Sequence, residues 1–133
     1  MSKLWDRLPV VVPVPDTGQY ELYAPWRFYW AERNFDLLAG FRFEASIPAI
    51  AWQLTTTPFD PRVLPGACGH DALYRATVDR QGLDQKTADE FIRAACLECG
   101  LPDRKARRIY WALRALGRSS WTNYTSAPLD NRD

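Results

Sequence analysis

The chain has 133 residues, 47% of them hydrophobic, with 6 Trp, 6 Tyr, 6 Phe, 3 Cys and a formal net charge of +1. That length suits a single domain, residues 1–133, with a core of its own, and the apolar share argues against wholesale disorder. The near-neutral balance excludes the global charge of a general nucleic-acid binder. An odd cysteine count does not suit a disulfide framework, and no run approaches the roughly 20 apolar residues of a membrane span.

Residues 1–18 read as an extended lead-in, because Pro9, Pro13 and Pro15 break its short apolar run. The same breaks argue against a signal peptide there. Residues 19–43 read as strands. Trp26, Phe28 and Trp30 alternate with Arg27 and Tyr29, the period of a half-buried strand, and Arg33-Asn34 is the expected turn before Phe35. Gly40 opens the short stretch FRFE. Ser46 with Pro48 in the first turn predicts a short helix through AIAWQL, and Pro58, Pro61 and Pro65 punctuate a loop after it.

From Gly66 the pattern becomes helical, with His70, Leu73, Tyr74 and Thr77 on one face. Asp84 is the expected N-cap of a second helix ending near Cys99 and Gly100. Pro102 opens a third, with Ala106, Ile109, Tyr110, Leu113 and Leu116 as its core face, and residues 119–133 form a polar tail. The expected class is α+β: a small N-terminal antiparallel sheet packed against a three-helix C-terminal half.

His70 is the sole histidine and stands in HDALYR, one short helix before ADEF at 88–91. A lone imidazole is the natural general base near neutral pH. An antiparallel second helix can return Asp89 to it as the orienting carboxylate, beside Tyr74. Asp71 could bind a hard cation that polarises an ester carbonyl. The same residues would serve equally as a buried hydrogen-bond network joining two helices. Cys68, His70, Cys96 and Cys99 offer a rival zinc set, although Cys96 and Cys99 also read as small core residues on an apolar face. Between Asp103 and Arg118 six cations, Arg114 among them, face one acid, a local +5 that leaves the remainder near −4. Arg104, Arg107, Arg108 and Trp111 are the candidate partner-binding residues of that stripe, for an anionic surface or a protein neighbour.

FRFEASIPAIAW, HDALYR and ADEF, in this order and spacing, resemble a phage and prophage protein family of unknown function. Where that pattern carries an Asp two residues before ASIP, this chain has Phe43, and Glu44 is the nearest carboxylate. The HDALY string with the later Asp is also similar to the phospholipase A2 pattern. That resemblance implies His70 as general base, Tyr74 and Asp89 as its supports, and calcium at Asp71, with Glu44 as the nameable second ligand. It also implies a glycine-rich calcium loop and disulfides, neither of which this sequence shows. Together they imply a virion- or lysis-associated protein with a phospholipase A2-like His–Asp site, an ester hydrolase. The alternative is a non-catalytic tail or baseplate component. Expected partners are other phage structural proteins and a phospholipid surface, with no specific nucleic acid. The expected location is the host cytoplasm, then the virion or release at lysis.

Overall fold

A computed structural model describes residues 3–44, 60–118 and 121. Five strands precede three helices among these residues: β1 Val11–Val14, β2 Gln19–Leu22, β3 Trp26–Trp30, β4 Arg33–Leu37, β5 Arg42–Glu44, then α1 Leu64–Tyr74, α2 Gln85–Glu98 and α3 Asp103–Leu116. The α+β arrangement of sheet before helices is the expected one. The strands, however, divide into two antiparallel sheets, β1-β2-β5 and the hairpin β3-β4. The helix expected after Ser46, and most of the tail from 119, fall outside the described residues.

The lead-in is not merely extended, since Val11 to Val14 pair with Leu22 to Gln19. β-Branched valines favour the strand. Tyr23 N–H donates to the Val10 carbonyl at 2.8 Å, so by alternation Pro13 faces outward, where its missing N–H costs no ladder bond. The β3–β4 turn also differs from expectation. Trp30 pairs with Arg33, and the turn residues are Ala31 and Glu32 at φ 53° and 60°. Positive φ at both central positions is the mark of a two-residue type I′ turn, so the sharp reversal, not the polar Arg33-Asn34 pair, sets the turn.

The β3 alternation holds. Trp26 and Phe28 are buried and Arg27 is exposed. Phe28 stacks on Phe35 at 5.0 Å and meets Phe91 of α2 at 4.9 Å. Trp30 Nε1 donates to the Thr87 carbonyl at 2.8 Å, which ties the hairpin to the start of α2.

α1 is the central helix, buried along nearly its whole length. It begins at Leu64, ahead of Gly66, with Pro65 in its first turn. It stops at Tyr74, so Thr77 lies beyond it, where Ala76 adopts φ 52°. Arg80 Nη1 donates to the carbonyls of Leu73 and Tyr74, both at 3.0 Å, and so ties down the last turn of the helix. Two glycines bring α1 close to α2. A Cβ on Gly66 would lie 2.9 Å from Ile92 Cγ1, and one on Gly69 would overlap the Phe91 ring. Asp84 caps α2 as expected, accepting from Thr87 N at 2.8 Å and Thr87 Oγ1 at 2.6 Å. α3 packs on α2 through Ala106, Ile109, Tyr110 and Leu113, while Leu116 is 49% exposed and lies outside the core. Among the described residues no helix is long and apolar enough to cross a membrane.

Candidate functional site

HDALYR is two i, i+4 pairs on one helix, and the pairs face different neighbours. His70 and Tyr74 form the inner pair, with ring centroids 4.1 Å apart. They face Asp89, whose side chain is wholly buried on α2. The close approach that Gly66 and Gly69 permit sets this distance. His70 Nε2 lies 2.9 Å from Asp89 Oδ1, and Tyr74 Oη donates to the same oxygen at 2.6 Å. Arg114 of α3 donates to Oδ2 at 3.2 Å, and Gln85 Nε2 donates to Tyr74 Oη at 3.1 Å.

The carboxylate of Asp89 therefore collects donors from two other helices. An isolated buried charge costs several kcal/mol, and a guanidinium with two further donors is the kind of company that offsets it. An ionised carboxylate only accepts, so this geometry puts the ring proton of His70 on Nε2 and leaves the lone pair on Nδ1. Burial, and then the Asp89 carboxylate, push the Tyr74 phenol well above its ordinary value, so Tyr74 stays a donor. Trp121 packs edge-on against Tyr74 at 5.4 Å, with Arg80 over its ring at 3.7 Å. His70 is 8% exposed.

Asp71 and Arg75 form the outer pair, 3.0 Å apart. Asp71 accepts the backbone N–H of Glu44, and burial lifts its carboxyl above the ordinary range despite the nearby Arg75. Arg75 donates to the Arg42 carbonyl and lies over the Phe41 ring at 4.9 Å. Glu44 is thus brought next to Asp71, through its main chain. Calcium takes 6–8 oxygen ligands. Here Asp71 is already paired with a guanidinium, and no group of three or more His, Cys, Asp and Glu side chains suited to a metal forms among the described residues. These residues do not fit a calcium shell.

The zinc set is not assembled either. Cys68 is sealed near Asp71 and Arg75, and burial raises its thiol well above the ordinary value. Cys96 lies by Asp60 and Arg62, its thiol pushed up to about 12 by burial. His70 spends Nε2 on Asp89. No three of Cys68, His70, Cys96 and Cys99 gather into a metal-suited group among the described residues. Arg104, Arg107, Arg108 and Trp111 do come together, lining a shallow surface cleft with Ala112 on the outer face of α3, with Trp111 62% exposed.

Sequence reasoning placed Arg114 in that basic stripe and missed its bond to Asp89. The signal was its position four residues after core-facing Tyr110, at the margin of the buried face. It also missed Gln85, whose partner Tyr74 lies on another helix, and Arg75, whose i, i+4 spacing to Asp71 was visible but whose bond to the Arg42 carbonyl was not.

A family model described as a protein of unknown function (DUF1353) matches residues 20–113, most of the chain. The chain belongs to that family. DUF1353 is associated with phages and prophages. The matched span runs from Tyr20 in β2 to Leu113 in α3 and so includes His70, Tyr74, Gln85 and Asp89, while Arg114 follows its last residue. No curated protein and no solved structure matches the chain.

Proposed function

We propose that this DUF1353 protein is a virion- or lysis-stage phage protein in which His70 and Asp89 act as a general-base pair for ester hydrolysis. The observation that carries the reading is the 2.9 Å contact between His70 Nε2 and a fully buried Asp89. With Nε2–H held by Asp89, Nδ1 is the ring atom free to take a proton from water. The water oxygen then adds to the ester carbonyl. Asp89 steadies the imidazolium, and the proton passes to the leaving alkoxide as the C–O bond breaks. Tyr74 and Arg114 are positioning residues that hold Asp89. The spacing of His70, Asp71, Tyr74 and the later Asp89 supports the phospholipase A2 likeness in the base and its supports. The calcium half of that likeness has no such support.

The basic face fits the same reading as a docking surface. Exposed Trp111 among Arg104, Arg107 and Arg108 suits an anionic phospholipid surface or a neighbouring phage subunit. Replacing Arg107 and Arg108 with Glu should leave folding intact and abolish that association.

The test is hydrolysis of phospholipid and simple esters by the parent protein and by His70→Gln. Loss of acid–base help should lower the rate by about 10²–10⁴-fold. A parent that cleaves neither substrate class removes the catalytic reading. One observation favours the non-catalytic tail or baseplate alternative: Arg114 from a third helix shares the carboxylate, so the network also staples α1, α2 and α3. On that reading His70→Gln lowers stability by about 1–3 kcal/mol with no activity to lose.

A further inference from the structure

We infer that Asp71 and Arg75 are a side-chain clamp on the outer edge of β5, and that Asp71 is a docking residue rather than a cation ligand. The sheet register sets up the clamp. Leu22 N–H donates to the Phe41 carbonyl at 2.9 Å, and Tyr20 pairs with Phe43. By alternation the carbonyl of Phe41 and the main-chain groups of Phe43 face β2, while the carbonyl of Arg42 and the N–H of Glu44 point away from it. Those two groups are the ones a further strand would bond. Arg75 donates to the first and Asp71 accepts from the second. The two side chains are one helical turn apart and paired to each other at 3.0 Å. Each therefore supplies the polarity that the strand edge lacks, and the Arg75 guanidinium is further held over Phe41.

The clamp takes the two main-chain groups through which another chain would pair with this edge. It also fixes α1 against the sheet while His70 and Tyr74, on the other flank of the helix, fix it against α2. A divalent cation at Asp71 would have to displace the Glu44 amide and approach a guanidinium already paired with the same carboxylate. The cation charge facing Asp71 is thus supplied by the protein. The inference rests on the hydrolase reading only in one corollary, that any hydrolysis at His70 resists chelators.

Three measurements on the full chain test it, and none needs activity. Amide exchange at Glu44 should be slow in the parent and about tenfold faster or more in Asp71→Ala, because that amide loses its acceptor. Asp71→Ala and Arg75→Met should each lower Tm, by about 5 °C, and the double variant should lose little more than the larger single loss. Calcium at about 10 mM should leave the parent Tm unchanged relative to a matched-ionic-strength control. Asp71→Asn, which keeps an acceptor oxygen, should retain slow Glu44 exchange, and this variant serves if Asp71→Ala fails to fold. Fast Glu44 exchange in the parent overturns the clamp, as do additive losses in the two single variants. A calcium-induced rise in Tm that disappears in Asp71→Asn overturns the exclusion of the cation. Ester hydrolysis that stops with a chelator, while calcium leaves Tm unmoved, defeats only the corollary. Absence of hydrolysis defeats the functional reading and leaves the clamp standing.

Discussion

In the N-terminal half Trp5, Trp26, Phe28 and Phe35 stack in series at centroid distances of 5.0–6.0 Å, and the series continues into Phe91 of α2. In the C-terminal half a single carboxylate, Asp89, sits without exposure among His70, Tyr74 and Arg114. Both regions are buried, but they are held by different forces. Ring stacking is a sum of weak, broadly directed contacts in which one neighbour can shift to cover for another. The Asp89 network depends on specific lone pairs and donors, and removing one member leaves the others desolvated without a partner. The aromatic half should therefore tolerate changes of shape, and the polar hub should not tolerate changes of chemistry.

The sharpest contrast comes from matched substitutions. Asp89→Ala should lose about 3–5 kcal/mol in urea unfolding, as when one partner of a buried charge network is removed. Phe28→Leu, at an equally buried site, should lose only about 1.5 kcal/mol. Equal losses at the two sites would mean that the two regions are held in the same way.

Gly69 tests the seam where the two regimes meet, since its Cα faces the Phe91 ring while His70 follows it in sequence. Gly69→Ala should cost about 1–3 kcal/mol by overpacking. Adding Phe91→Leu should recover part of that loss, and it should also return the His70 NMR resonances towards parental positions. No coupling between the two changes would show that ring packing does not set the hub.

Asp84 makes a smaller, local test at the start of α2. Asp84→Ala should lose about 1 kcal/mol, the usual cost of an N-cap. Hydrogen bonds from Thr87 hold the Asp84 carboxyl below its ordinary value of 3.8. A depressed acid contributes fully above the unfolded value, and the contribution fades as pH falls through the folded one. The gap between parent and variant should therefore be constant near neutrality and close in acid. A gap that widens in acid would contradict the cap.

The smallest effect belongs to the β3–β4 turn. Ala31→Asn with Glu32→Gly should gain about 0.4–1 kcal/mol, because both positions hold positive φ that these residues adopt at a cost. A loss would mean that the Ala31 or Glu32 side chain makes a contact outweighing the strain.

Much of this protein was legible in sequence because its signals are local. The period-two aromatics of β3, the Asp84 cap, the stop at Gly100 and the helical spacing of His70 with Tyr74 each depend on residues a few positions apart. The short antiparallel return from α1 to α2 was enough to predict that Asp89 reaches His70. The tertiary structure alone decided the rest. The edge position of β1 made Pro13 compatible with a strand, and the hairpin's twist placed its turn at Ala31 and Glu32. Arg114 looked like one more surface cation until α3 packed against α2 and aimed it at Asp89. Asp71 looked like a metal ligand until the outward N–H of Glu44 and the guanidinium of Arg75 took its carboxylate. Those assignments depend on which unpaired polar group a fold brings within 3 Å or so, and hydrogen-bond reach across elements is not encoded in residue spacing.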